Sequence, residues 1–156
     1  MKIKNCLEPV RVIETVNSVE TVIRDIADDA DQEDAFYVCC LDDIVEKFKI
    51  WKEQLPRVQP HYAVKCNDDL TILETLASLG ASFDCASKGE IAKVLSIGVS
   101  VKNIIFANPA KLASHVKFAK SVGLATMTFD NESELHKIQH LYSNARLVIR
   151  IRCDAE

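Results

Sequence analysis

The sequence predicts an α/β protein, an incomplete (β/α)8 barrel of the TIM type with about five of the eight strands, preceded by a small N-terminal segment. Short β-rich runs alternate with segments of helical apolar period along most of the chain. From residue 61 onward the β-rich runs begin roughly 21 residues apart, the length of one compact βα unit. Gly80, Gly98 and Gly123 each fall at the end of a helical stretch, where a C-cap glycine belongs. Alternation at short loops implies parallel strands joined by right-handed crossovers. A doubly wound open sheet and a barrel both satisfy that rule; the near-constant unit length favours the barrel. A closed barrel of this type takes ~200 residues or more, so 156 residues accommodate only part of one.

The elements follow in order. Residues 1–40 read as a separate element with an irregular start, a helix near 19–30, an acidic turn at Asp28, Asp29 and Asp31, and a strand at 36–40. The barrel portion, residues 41–156, begins with a helix whose Leu41, Ile44, Val45, Phe48, Trp51 and Leu55 form one apolar stripe. A strand at 61–65 precedes the helical positions Leu70, Leu73, Leu76 and Ala77. A strand at 82–85 precedes Ile91, Val94 and Leu95, and one at 103–107 precedes Leu112, Val116 and Ala119. The strand at 125–129 leads through Asp130, an N-cap signal with carboxylates in the following turn, to Leu135, Ile138 and Leu141. The last strand is expected at 147–151.

Composition narrows the function classes. A hydrophobic fraction of 48% with 27% charged residues and few Gly or Pro excludes a disordered or collagenous chain. A net charge of −4 leaves no electrostatic footprint for nucleic acid. No apolar run approaches the ~20 residues of a membrane span, and residues 1–9, with Lys2, Lys4 and Glu8, lack the apolar region of a secretory signal. The cysteines Cys6, Cys39, Cys40, Cys66, Cys85 and Cys153 form no C-x-x-C pair, and reduced thiols in a cytoplasmic compartment fit best. His136 and His140 share a helix face without a third ligand nearby, so no metal site is expected. No Gly-x-Gly-x-x-Gly follows a strand, which weighs against a dinucleotide.

Strand ends carry the candidate chemistry. In a parallel barrel the C-terminal ends of the strands form the active face. Lys65 ends the strand at 61–65, and period two puts small Ala63 beside it on the same face. An amine buried there is suited to Schiff-base chemistry; a lysine snorkelling out of the barrel mouth fits the pattern equally. Asp84, one strand along, is placed to pair with Lys65 or to exchange a proton with it. Glu90 lies in the first turn of the next helix, where the helix dipole alone accounts for it. Arg150 and Arg152 alternate in the last strand, and an inward arginine there needs an anion or a carboxylate.

At these residues a resemblance becomes specific. Pro56-Arg57-Val58, then Pro60-His61-Tyr62-Ala63-Val64-Lys65-Cys66-Asn67-Asp68, resembles the pyridoxal-phosphate lysine segment of the eukaryotic ornithine decarboxylases. Gly80-Ala81-Ser82-Phe83-Asp84-Cys85-Ala86-Ser87-Lys88 with Glu90 is similar to that family's next motif. Ile104-Ile105-Phe106-Ala107-Asn108-Pro109 with Lys111, Met127-Thr128-Phe129-Asp130-Asn131-Glu132 and Leu147-Val148-Ile149-Arg150-Ile151 continue the likeness over residues 36–152. His61, Gly89 and Ala110 depart from the family pattern, and none of them removes the lysine.

The resemblance implies a pyridoxal 5'-phosphate enzyme that removes the carboxylate of a basic amino acid, converting L-ornithine to putrescine in polyamine synthesis. By the same likeness Lys65 holds the cofactor covalently, Asp84 and Glu90 lie near it, and Ala63 and Arg150 border it. The strand at 36–40 would join a second, sheet-rich domain, and family members are homodimers with active sites at the subunit interface. Relatives acting on arginine, lysine or diaminopimelate share the lysine strand. A glycine-rich phosphate loop, a stacking histidine and the acids that meet the pyridine nitrogen and the substrate lie beyond the equivalent of Glu156. The expectation is therefore a fragment, weakly active or inactive alone. The alternative is a non-catalytic regulator that binds antizyme through residues 111–134, from Lys111 to Glu134, where Lys111, Lys117 and Lys120 give basic character. Antizyme inhibitors typically lose the aspartate of the Phe-Asp-Cys block, and Asp84 is present here. The same block argues against a small single-domain pyridoxal-phosphate barrel of the homeostasis type.

Overall fold

The structure, a computed structural model, describes residue 13 and residues 18–153. The expectations on residues 1–9, including Cys6, lie outside the described residues. Five parallel strands form one sheet in the order β1-β2-β3-β4-β5: His61–Ala63, Ser82–Cys85, Ile104–Phe106, Thr126–Phe129 and Arg146–Ile149. Helices α1 (Val19–Ala27), α2 (Leu41–Gln54), α3 (Leu70–Ser78), α4 (Lys88–Ser96), α5 (Ala113–Ser121) and α6 (Glu132–Leu141) accompany them. Spatial order equal to sequence order, with a helix in each crossover, is the topology of a barrel wall. Among the described residues no helix is long and apolar enough to cross a membrane.

Alternation along the strands separates two faces. Phe83, Cys85, Ile104, Phe106 and Met127 are buried and pack with Ile91 and Val94 of α4, Ala119 of α5 and Ile138 of α6. Asp84, Ile105, Thr126 and Thr128 point the other way and are half-buried. This second face is the one that faces inward in a barrel.

Local signals worked where a glycine decides. Gly80 and Gly123 have φ of +87° and +78°, a region costly for any residue with a Cβ. Each closes a Schellman motif, with Ala81 N–H donating to Leu76 O and Leu124 N–H to Ala119 O. The chain then enters the next strand directly.

Four expectations need correction. Residues 36–40 form no strand: Tyr37, Cys39 and Cys40 are exposed, and no described strand runs beside them to complete a ladder. The strand expected at 61–65 stops at Ala63 and continues as a 3-10 turn, Val64–Cys66, so Lys65 stands exposed in a turn rather than within an apolar strand. The last strand ends at Ile149, although Arg150 N–H still donates to Phe129 O at 2.8 Å. Leu112 is not a core position but the N-terminal boundary of α5, 63% exposed.

Candidate functional site

The C-terminal ends of the five strands bring the candidate residues to one edge. Lys65 follows β1, Asp84 lies within β2, Glu90 opens α4 after β2, and Arg150 follows β5. Ala63 is directly opposite Asp84 in the β1–β2 register. The small side chain of Ala63 therefore flanks the carboxylate on the inward face, and Lys65 follows immediately above it.

The turn that carries Lys65 is fastened on several sides. Tyr62 Oη donates to Asn67 O at 3.0 Å, Asn67 Oδ1 accepts from Asp69 N–H at 3.0 Å, and Asp69 Oδ1 caps α3 through Thr71 N–H at 2.8 Å. Lys93 of α4 donates to Asp68 O at 3.1 Å and pairs with its carboxylate. Lys65 itself makes no hydrogen bond or direct ion pair among the described residues, while Asp84 senses its charge. Burial pushes the Asp84 carboxyl above the usual aspartate range; Lys65 pulls it back down, Glu90 adds to the rise, and His61 opposes it. Lys65 and Asp84 are thus coupled through space without the contact expected from the sequence.

Glu90 has structural work. Ser87 Oγ accepts from Glu90 N–H at 3.2 Å, while Glu90 Oε2 accepts from Ala86 N–H at 2.8 Å and Oε1 lies 3.3 Å from Ser87 Oγ. This reciprocal cap fixes the chain leaving β2. Arg150 meets the carboxylate of Asp130, Nη2 to Oδ2 2.6 Å. Asp130 is free for this because Asn131, not Asp130, caps α6, its Oδ1 accepting from Glu134 N–H at 2.9 Å.

Sequence reasoning placed Lys111 on a basic surface. The structure corrects that: its side chain is fully buried, with Nζ donating to Asn108 O at 2.9 Å and Thr128 O at 2.5 Å and paired with Glu134 Oε1 at 2.9 Å. Burial lowers the Lys111 ammonium from its ordinary range, and Glu134 opposes that shift. Burial would raise Glu134, but hydrogen bonds from Lys137 and Lys111 hold it below the usual range. Asn108, also passed over as a functional residue, donates through Nδ2 to Ala86 O at 3.1 Å. Partners 20 or more positions apart leave no local signal. Lys117 and Lys120 do stand exposed on α5. Among the described residues no group of three or more His, Cys, Asp or Glu could hold a metal ion.

An exposed primary amine on a fixed turn, beside a partly buried carboxylate, can condense with a carbonyl compound and exchange protons with its neighbour. Residues 41–156 match the family described as "Pyridoxal-dependent decarboxylase, pyridoxal binding domain". This chain belongs to that family. Within the family of pyridoxal-dependent decarboxylases, it is 50% identical over 125 residues to the ornithine decarboxylase of Mus musculus, covering 80% of this chain and 27% of that protein. It is 47% identical over 136 residues to antizyme inhibitor 2 of Xenopus laevis, covering 87% of this chain and 30% of that protein. The arginine decarboxylase of Paramecium bursaria Chlorella virus superimposes with a TM-score of 0.83 at 41% identity, covering 86% of this chain and 36% of that one. The chain spans about a quarter to a third of the length of the relatives it matches. The likeness to a barrel decarboxylase agrees with the partial barrel read from sequence.

The inward face fits the carbonyl end of pyridoxal phosphate: Lys65 offers an unbonded amine, and Ala63 leaves space beside it. Its arginine, in contrast, is already engaged by Asp130.

Proposed function

We propose that this chain carries the lysine-bearing strands of a pyridoxal-phosphate-dependent decarboxylase that converts L-ornithine to putrescine and carbon dioxide. The observation that supports this best is the exposed, unbonded Lys65 amine on a fixed turn, electrostatically coupled to half-buried Asp84. Pyridoxal phosphate, when bound, supplies the ring that accepts the electron pair left by the departing carboxylate. Lys65 would hold it covalently. Asp84, raised by burial, keeps its carboxyl protonated to higher pH than an ordinary aspartate and would exchange that proton at the Lys65 nitrogen. Glu90 keeps the chain leaving β2 in place, Ala63 leaves room for the ring, and Arg150 borders the site from β5. Residues 41–156 would belong to the cofactor barrel and residues 1–40 to a separate element, in keeping with α1, which has no buried residue. A homodimer in the cytoplasm completes this reading.

Incubating the chain with pyridoxal phosphate, reducing with borohydride and mapping the peptides tests it. The expected result is a pyridoxyl group on Lys65, lost in Lys65→Ala. Random labelling of the exposed lysines with no preference for Lys65 overturns the assignment. Release of labelled carbon dioxide from L-ornithine, compared with L-arginine and L-lysine, tests the substrate.

A second reading, a non-catalytic antizyme-binding regulator, is favoured by one observation: Lys117 and Lys120 are exposed on α5, in a chain 47% identical to an antizyme inhibitor. Lys111, being buried, can take no direct part. Antizyme capture that persists unchanged in Lys117→Glu/Lys120→Glu removes this reading.

A further inference from the structure

Lys111 is the least expected side chain in the molecule. Lysine is almost never fully buried unless paired, and this one has its side chain closed off completely. Its ammonium satisfies three acceptors from three places: Asn108 O in the loop after β3, Thr128 O on β4 and Glu134 Oε1 on α6. The loop's backbone is gripped as well, with Lys111 N–H donating to Glu134 Oε1 at 3.3 Å and Lys137 Nζ to Lys111 O at 2.5 Å.

The residue it holds does reach the site. Asn108 is clamped at its carbonyl by Lys111, and its Oδ1 accepts from Ala110 N–H at 3.0 Å. That leaves Nδ2 aimed at Ala86 O, 3.1 Å away. The other side of the Ala86 residue is already fixed, its N–H donating to Glu90 Oε2 at 2.8 Å. Ala86 is two residues past Asp84 in the same strand exit. One set of polar contacts therefore runs from α6 and β4 through Lys111 and Asn108 to the end of β2.

We propose that Lys111 is a positioning residue: by fastening Asn108 across the ends of β3 and β4, it fixes the exit of β2 and so the placement of Asp84 beside Lys65. Glu134 is its buried counter-charge, and Lys137 balances the second carboxylate oxygen. The fully buried ammonium acts from the helix side of the sheet on a carboxylate of the opposite face. This deepens the reading of Lys65 and Asp84 as the site, but its test does not need the cofactor, so the two can fail separately.

The test follows the Asp84 carboxyl by carbon-detected NMR titration of the folded chain, with thermal unfolding in parallel. The groups that face Asp84 are Lys65 and His61 from the β1 side and Glu90 from α4. Lys111→Met is expected to free the exit of β2, expose half-buried Asp84 further and move its titration downward, toward the ordinary aspartate range. Asn108→Ala, which leaves the Lys111–Glu134 pair intact, is expected to produce the same downward shift; it keeps the test decisive should Lys111→Met not fold. Lys137→Met removes a partner of Glu134 and the bond to Lys111 O but leaves the Lys111 ammonium on Asn108 O, and should lower the melting temperature while leaving Asp84 unmoved. An Asp84 titration unchanged in Asn108→Ala, or in a folded Lys111→Met that melts earlier, overturns the proposal and leaves Lys111 a fold staple. A shift in Lys137→Met equal to that in the other two overturns it as well, because general loosening then suffices.

Discussion

Arg150 at the end of β5 grips Asp130 at the end of β4 through Nη2 and Oδ2, 2.6 Å apart. Its own backbone N–H donates to Phe129 O at 2.8 Å, so side chain and backbone of one residue hold the same neighbouring strand. The arginine side chain is 62% exposed, and an exposed pair contributes roughly 0.2–1 kcal/mol. Asp130→Asn should therefore lower urea stability by less than about 1 kcal/mol. A larger loss would mean that the pair organises more of the edge than its two strands.

The Lys111–Glu134 pair should behave differently. Removing one partner of a buried pair leaves a charge without compensation, at a cost of about 3–5 kcal/mol. Glu134→Ala is expected to fall in that range by chemical denaturation. Asp68→Ala, which breaks the exposed pair with Lys93, should cost under about 1 kcal/mol.

Two carboxylates give opposite pH signatures. Burial raises Asp84 above its ordinary 3.8, so the folded state favours its protonated form. Stability from this group is present below 3.8 and lost as pH rises through the raised folded value. Asp84→Asn should thus stabilise the chain at neutral pH, with the gain vanishing in acid. Glu134, held below its ordinary 4.5 by Lys137 and Lys111 against the opposing effect of burial, contributes stability that is present above 4.5 and lost as pH falls through its folded value. Denaturation midpoints of both variants across pH separate the two.

Thiol reactivity should sort by burial. Cys85 is fully buried and its thiol is pushed up to about 12 by burial first, with Glu90 and Asp84 adding to it. Native labelling with iodoacetamide should modify Cys40, Cys66 and Cys153, reach Cys39 more slowly because burial raises its thiol too, and spare Cys85 until the chain unfolds. Peptide mapping reads the order.

At Gly123, φ is +78° with nothing within 4 Å of an added Cβ. The cost of Gly123→Ala is then backbone strain alone, about 1–2 kcal/mol, measured as a lowered denaturation midpoint.

What the sequence made legible was the repeat and the turns carried by local period and glycine chemistry. The roughly 21-residue spacing located all five strands of the wall. The helix-ending glycines adopted the positive φ their positions called for. Lys65 and Asp84 could be assigned to adjacent strand ends because parallel register follows from topology. The stretch at 36–40 misled because β propensity says nothing about whether a partner strand is at hand. Lys111 was read as a surface charge for a related reason: beyond Asn108 three positions away, its partners are Thr128 and Glu134, joined to it only by the fold. Asp130 looked like a cap because Asp and Asn stand side by side, and only the geometry chose Asn131.

Strand order identical to sequence order has a kinetic meaning. Each strand of the sheet is bonded to the strand one unit before or after it, so order can spread along the sheet one βα unit at a time, as in a linear array. Opening should be graded in the same way. Amides of β3, flanked on both sides, should exchange with solvent most slowly, and those of β1 and β5, each with one neighbour among the described residues, fastest. The Lys65 turn is attached to one of the two fast-opening margins, which leaves its fastening by Tyr62, Asn67 and Lys93 to keep the amine in place between openings.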